Sequence, residues 1–330
     1  MHKSHEVSPS YTQESDFTQA INTRIGQFWS ERQEGFISAK DKTPLFWCSM
    51  TSPRHEKAVV VVNGRIECCW KYQELFYDLF QQGYDVYSFD HRGQGLSGRL
   101  IEDQQMGYVE EFDDYIQDMA QQVEHFNLDR YRHRMILAHS MGATIATRYL
   151  QTHPQHAFCA AALSAPMFGI HLPWYLRPIA MTIGQVLTGY HGKPVYAPGH
   201  RAYYAKPFEQ NPLSQSEVRY QWFRDLYQQQ PVLQIGGPST RWVWQSLMAA
   251  KLCYLLTRQI KLPLLIMQAG DDQIVSNPAQ YRLYKKLVKT NPACQFIRIA
   301  GARHELLFEQ DVYRNQALDT TLDFYTAQQK

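Results

Sequence analysis

No stretch of about 18 uninterrupted apolar residues occurs in the 330-residue chain, so no membrane-crossing helix is expected. The opening run, Met1-His-Lys-Ser-His-Glu-Val-Ser-Pro-Ser10, has no apolar centre and no small-residue cleavage pattern, which argues against a secretory leader. Cysteine is sparse. Six are scattered through the chain, none in Cys-x-x-Cys spacing, and the adjacent Cys68 and Cys69 are badly placed to pair with each other. Reduced thiols in a cytoplasmic setting are the expectation. Neither sign of charge dominates: 33 Lys and Arg stand against 31 Asp and Glu, a net charge of +2, which argues against a protein built to bind nucleic acid. There is no internal repeat and no low-complexity segment.

What is present is the composition of a globular protein, 44% hydrophobic and 19% charged. The length suits one large α/β domain with an insertion, or two ordinary domains. Residues 1–30 are polar and are expected to form a helical lead-in, and Phe36 to Met50 alternates loosely, as a hairpin does. From there short apolar runs alternate with helical periodicity. Lys57-Ala-Val-Val-Val-Val62 reads as a strand buried on both faces. Lys71 to Gln82 has helical spacing and ends at Gly83, and Tyr84 to Phe89 reads as a strand. Tyr115 to Phe126 is predicted helical, Arg134 to His139 a strand, Thr144 to Leu150 a helix and Phe158 to Leu163 a strand. The alternation stops between about Pro166 and Leu255, then resumes with strands at Leu262–Met267 and Gln295–Ile299 and helices near Gln280–Val288 and Val312–Tyr325. This order predicts a mostly parallel, doubly wound α/β sheet. The expected division is a lead-in over 1–30, a core from 31–165 and 256–330, and a helical cap inserted at 166–255.

The sharpest local signal is Ala138-His-Ser140-Met-Gly142, where a predicted strand meets a predicted helix at a serine. A turn this tight demands small residues two before and two after the serine, and it lifts the hydroxyl to the carboxyl edge of the sheet. Ser140 is therefore the candidate nucleophile, and the backbone N–H of Met141 a candidate oxyanion donor. The alternative is a strand–helix turn that merely contains serine. A serine hydroxyl needs a base, and in this architecture the order is Ser, acid, His. His304, in the loop after the last strand, fits the base. His139 is a rival by position, but its side chain should diverge from that of its neighbour. Two carboxylates compete for the acid, Asp271 and Asp272. Asp272 is preferred because Asp-x-Ile-Val sets it before an apolar pair that can anchor the loop, although either could be a helix cap. The loop Asn63-Gly64-Arg65 after the first buried strand should supply the second oxyanion donor, the N–H of Arg65. It could equally be a plain Asn-Gly turn. Gly93-Gln-Gly-Leu-Ser-Gly98 matches a dinucleotide fingerprint, but no helix opens directly after it, so a structural turn is expected.

Together with Asn63-Gly-Arg-Ile-Glu67, Asp90-His-Arg-Gly-Gln-Gly-Leu-Ser97 and His304-Glu-Leu-Leu-Phe-Glu309, these segments resemble the monoglyceride-lipase and lysophospholipase branch of the α/β-hydrolases. Within that branch the similarity is greatest to the bacterial lysophospholipases. The resemblance implies a Ser140–Asp272–His304 triad that hydrolyses the acyl ester of a lysophospholipid, with acyl transfer as a side activity and no cofactor or metal. It also implies a peripheral place at the cytoplasmic face of the inner membrane. Asn63 stands where the branch commonly has His, and Ala138 where it has Gly; neither change removes a reacting atom. A monoacylglycerol lipase, a general carboxylesterase and an inactive lipid- or partner-binding scaffold are the competing readings.

The cap sequence carries eight Lys and Arg against three acids, with Trp174, Tyr175, Tyr203, Tyr204, Trp222, Phe223, Trp242 and Trp244 among them. Basic residues beside Trp and Tyr suit an anionic lipid surface. Pro173 to Met181 is a candidate interfacial anchor. Simple packing of those aromatics on the core is the alternative.

Overall fold

In the computed structural model, which describes residues 11–170 and 193–329, alternation along the strands splits the core in two. Val60, Val62, Ile136, Ala138, Ala161, Leu163, Leu264 and Ile266 face one side of the sheet. Their neighbours Val59, Val61, Met135, Leu137, Ala160, Ala162, Leu265 and Met267 face the other. That is why these strands read as unbroken apolar runs: both faces are covered.

The strands are β1 (Gln33–Ser38), β2 (Pro44–Met50), β3 (Lys57–Val62), β4 (Tyr84–Phe89), β5 (His133–His139), β6 (Ala160–Ser164), β7 (Leu264–Ala269) and β8 (Gln295–Ile299). They lie in the order β1-β2-β4-β3-β5-β6-β7-β8. The first two form an antiparallel hairpin whose second strand pairs antiparallel with β4, and every other pairing is parallel. The lead-in is helical at Phe17–Asn22 and Arg24–Ser30, as expected.

Element boundaries moved where a local hydrogen bond decides them. The helix expected from Tyr115 starts at Phe112, because Glu111 and Asp114 form a reciprocal capping box. The strand expected from Leu262 starts at Leu264, since Pro263 has no N–H to give to the ladder. Lys71 does not open the helix expected from it but lies within a 3-10 turn over Cys69–Tyr72, and the α-helix runs Gln73–Gln81.

Between β6 and β7 the described chain contributes two long helices of different character. Thr240–Leu255 sends Trp242, Ala249 and Cys253 into the first core. Glu217–Gln229 sets Tyr220, Phe223 and Tyr227 in a separate cluster with Leu233 and Cys68. The candidate anchor Pro173–Met181, with Trp174 and Tyr175, lies outside the described residues. Helix Glu217–Gln229 is held from below by a buried ionic network. Arg219 bonds Glu74 (Nε to Oε2, 2.9 Å) and Asp311 (2.8 Å), and Arg314 bonds Asp78 (2.7 Å). Asp78 also accepts from the N–H and hydroxyl of Thr12, at 3.1 and 2.9 Å.

Candidate active site

Every residue singled out for chemistry stands just beyond the carboxyl end of a parallel strand, where open α/β sheets bind ligands. Ser140 follows β5, Asp272 follows β7, His304 follows β8, and the Asn63–Arg65 loop follows β3. The elbow has the backbone that its sequence demanded. Ser140 sits at φ 52° and ψ −115° and directly precedes the helix Met141–Thr152. A positive φ on a non-glycine residue costs on the order of 1–3 kcal/mol and persists only where the surroundings hold it. Here Ser140 N donates to Ser164 O (3.0 Å), and Ser140 O accepts from Ala143 N and Met167 N (both 3.1 Å). Gly142 has no room for a side chain, as a Cβ there would lie 2.3 Å from the carbonyl oxygens of Val62 and Asn63. Ala138 is fully buried between Val62 of β3 and Leu163 of β6, so the extra methyl group is accommodated.

The three side chains meet. His304 Nε2 lies 2.9 Å from Ser140 Oγ, and His304 Nδ1 lies 2.7 Å from Asp272 Oδ2. The other carboxylate oxygen of Asp272 accepts from the N–H groups of Ile274 (2.7 Å) and Val275 (3.0 Å). The apolar pair does anchor the loop, and it orients Asp272. The neighbouring Asp271 is exposed and only its backbone is engaged, N–H to Ala302 O at 2.9 Å. Burial pulls the His304 pKa down, but Asp272, with Glu305 and Glu67 beyond it, outweighs that and leaves it above the ordinary imidazole value. Burial raises Asp272 in turn, yet His304 and the two backbone N–H groups hold it below the usual carboxylate range. That is the polarity an acid–base relay needs: a carboxylate that stays charged and an imidazole that takes a proton readily. His139 diverges as expected. Its Nδ1 faces Ser164 O at 3.2 Å, and burial pushes it down to about 4, so it is neutral.

The loop after β3 lies against the serine, since a Cβ on Gly64 would stand 3.3 Å from Ser140 Cβ. Among the described residues no partner takes up the N–H of Arg65 or of Met141, which leaves both open to a developing oxyanion. Gly93 to Gly98 is a turn, folded around Asp90, whose carboxylate accepts from Leu96 N and Cys69 N at 2.8 and 2.7 Å. The next helix begins only at Phe112, so nothing there offers a pyrophosphate a helix end. Gln94 of that turn reaches the β3 loop, its Nε2 donating to Gly64 O (2.7 Å) and Glu67 O (3.0 Å).

One group of residues was not anticipated. Glu67 Oε2 accepts from Gly64 N (2.5 Å) and Tyr72 OH (2.7 Å). Lys71 Nζ bridges Glu67 Oε1 (3.0 Å) and Glu305 Oε1 (2.7 Å), and all three charged side chains are buried. Burial drives both carboxylates up, but Lys71 and the hydrogen bond from Tyr72 hold Glu67 low while Glu67 helps keep Glu305 raised. Of the two, Glu305 takes the first proton as pH falls. The available signal was three charges beside predicted site residues: Glu67 and Lys71 four apart next to the oxyanion loop, and Glu305 next to His304. Glu309, also buried, braces the His304 loop by accepting from Arg303 N (2.8 Å) and Gln215 N (2.9 Å).

Residues 53–311 match the model of the hydrolase family described as serine aminopeptidase, S33. The chain belongs to that family. Lysophospholipase L2 of Escherichia coli strain K12 is 36% identical over 326 residues, covering 95% of this chain and 93% of its own. A probable lysophospholipase L2 of Haemophilus influenzae is 35% identical over 315 residues, covering 94% and 98%. Among solved structures, a soluble variant of monoglyceride lipase from Saccharomyces cerevisiae superposes with a TM-score of 0.70 at 16% identity, over 90% of this chain and 94% of that one. This last likeness concerns the fold, and the fold is that of the α/β-hydrolases. No described helix is long and apolar enough to cross a membrane.

Proposed function

We propose that the chain is a serine esterase that removes the acyl chain of a lysophospholipid through an acyl-enzyme. The observation that carries this reading is the line of hydrogen bonds from Asp272 through His304 to Ser140, in a chain with lysophospholipase L2 relatives. Ser140 Oγ attacks the acyl carbonyl while His304 Nε2 takes its proton. Asp272 holds the imidazole in the tautomer that leaves Nε2 free to accept, and stabilises the imidazolium that forms. The N–H groups of Arg65 and Met141 receive the oxyanion. His304 then protonates the leaving glycerol oxygen, and water, deprotonated by the same nitrogen, releases the fatty acid. The residues that do this need no metal or cofactor.

Residues 166–255 form the cap in this reading, and the enzyme works peripherally at the cytoplasmic face of a membrane. The surface charge for that contact comes from Lys193, Arg201 and Lys251, which are exposed. Arg219 is buried against Glu74 and does not contribute, and Trp242 and Phe223 are packed inside. Binding to anionic vesicles should therefore weaken as salt rises; salt-independent binding would remove the electrostatic part.

The test of the enzyme is a lipid panel. Wild-type protein should release fatty acid from lysophosphatidylethanolamine and take up a fluorophosphonate probe, and Ser140→Ala should do neither. Turnover of monoacylglycerol with none of lysophospholipid would make it a monoacylglycerol lipase instead, and an unlabelled, inert wild type would leave only a binding scaffold.

A further inference from the structure

Arg65 has a second peculiarity, in its side chain. Its Nη1 donates to Gly236 O at 2.9 Å, and its guanidinium carbon stands 5.3 Å from the Trp242 ring centroid, within cation–π range. Gly107 packs against it, with a Cβ there lying 3.1 Å from Nη1. No carboxylate lies within ion-pair distance among the described residues, and the sequence 171–192 contains neither Asp nor Glu. Two other cations near this end of the sheet are matched: Lys71 by Glu67 and Glu305, Arg92 by Asp118 and Asp41. Burial pushes Arg65 down to about 10, so it stays charged at neutral pH. Yet the residue keeps part of its surface accessible. A side chain that is largely buried yet partly accessible can meet a ligand, and this one carries an unneutralised cation. A buried charge without a partner is costly, and a ligand of opposite charge removes the cost.

We propose that the Arg65 guanidinium binds the phosphate of the substrate's glycerophospho head group and so selects lysophospholipids over neutral monoacylglycerols. This rests on the esterase reading above, because it takes the acyl carbonyl to lie at Ser140. The reach is right. Six bonds separate that carbonyl carbon from phosphorus, roughly 7 Å when extended at bond lengths near 1.5 Å. Arg65 starts beside the carbonyl, on the loop packed against Ser140, and its side chain runs away from it toward Gly236 and Trp242. A planar fork with donors to spare suits a phosphate oxygen pair, and the Trp242 ring holds the fork in place. One residue thus serves twice, its backbone N–H at the oxyanion and its side chain at the head group.

The experiment compares kcat/KM for a lysophospholipid and a monoacylglycerol of the same acyl chain in wild type, Arg65→Gln and Arg65→Lys. Both variants keep the backbone N–H. Loss of a charge-assisted contact should lower the lysophospholipid-to-monoacylglycerol ratio about 30-fold in Arg65→Gln, with partial recovery in Arg65→Lys. A side chain that only tethers the loop to Gly236 would lower both substrates equally and leave the ratio unchanged, which overturns the inference while the esterase reading stands. A wild type that cleaves monoacylglycerol but no lysophospholipid ends the substrate reading and this inference with it. A second arm needs no phospholipid turnover: sn-glycerol 3-phosphate should competitively inhibit monoacylglycerol hydrolysis by wild type and inhibit Arg65→Gln at least tenfold less. Equal inhibition of the two, none of either, or inhibition no stronger than that by inorganic phosphate overturns the head-group assignment.

Discussion

Two of the ionic clusters buried among the described residues are built to opposite ends. The one under helix Glu217–Gln229 joins Arg219 and Arg314 to Glu74, Asp78 and Asp311, and the two guanidinium groups also bond the carbonyls of Glu309 and Leu307. It draws together residues 12, 74–78, 219 and 311–314, which are remote in sequence, and it touches none of the reacting atoms. The other, Glu67–Lys71–Glu305, lies against the triad, and one carboxylate oxygen of Glu305 has no partner among the described residues. Buried charge alone therefore says little about function. What separates the clusters is how directly a member fixes a group proposed to react: Glu67 holds the N–H of Gly64, next to the proposed oxyanion donor, whereas the first cluster reaches the His304 loop only through the backbone carbonyl of Glu309.

The comparison is broken most sharply at the serine itself, which belongs to neither cluster. Ser140→Ala should lower kcat by about six orders of magnitude, as removal of a triad nucleophile does elsewhere. Stability should not fall. Ser140→Gly should even raise the urea midpoint, because glycine accepts φ 52° without strain. A Ser140→Ala protein that keeps esterase activity would refute the nucleophile assignment. Next in size is Asp272→Asn, with a loss of about 10⁴ in kcat. Its signature is in the pH profile. The base must be neutral to act, and the His304 pKa is raised, chiefly by Asp272 against the pull of burial. The ascending limb of kcat/KM should therefore lie above 6.5 in wild type and move to lower pH in the variant. A limb that stays put would mean Asp272 does not set the His304 charge.

The structural cluster predicts the reverse pattern. Arg314→Met removes the partner of Asp78 and a neighbour of Glu74, so it should cost about 3–5 kcal/mol of stability, typical of leaving a buried charge uncompensated. Burial already raises the Glu74 pKa, and losing Arg314 raises it further. A carboxyl with a raised folded-state pKa favours the folded state at low pH and loses that advantage as pH rises through it. The deficit in urea midpoint should thus be largest near neutrality and shrink toward pH 5, a value on the order of the ordinary carboxylate range. Folded Arg314→Met should retain near-normal kcat, and a fall in kcat as large as that of Asp272→Asn would erase the distinction drawn here.

Much of the sheet, and the residues proposed as the triad, could be read before the structure, for a physical reason. A strand buried on both faces must be apolar throughout, and an elbow must be small on both sides of its serine, so Lys57–Val62 and Ala138–Gly142 announce themselves locally. The choice of Asp272 over Asp271 was also local, resting on Ile274 and Val275. The clusters were not legible, because they are long-range. Nothing near Arg219 in sequence reveals that it meets Glu74 and Asp311, and counting it among the surface cations of the cap was a consequence. Trp242 and Phe223 looked like membrane-facing aromatics by composition, and tertiary packing put both inside.

The smallest effect tests the idea that the site cluster positions rather than merely stabilises. A carboxylate beside a forming oxyanion should oppose the reaction, since like charges a few ångströms apart repel strongly in a dry site. Lys71 offsets that charge, and Tyr72 and Gly64 turn Glu67 Oε2 toward the base of the loop. The N–H of Gly64 is thereby occupied, and that of Arg65 stays free for the proposed oxyanion. Glu67→Gln keeps the shape and can still accept from Gly64 N, but it loosens the pairing with Lys71. Loss of one whole oxyanion donor costs about 10²–10³ in kcat, so a misplaced one should cost roughly 10–100-fold, with KM little changed. Glu67 is also among the charges that raise His304, so the ascending pH limb should shift slightly down, a response that packing alone does not produce. A variant with lower stability but unaltered kcat and pH limb would return Glu67 to the same class as Glu74.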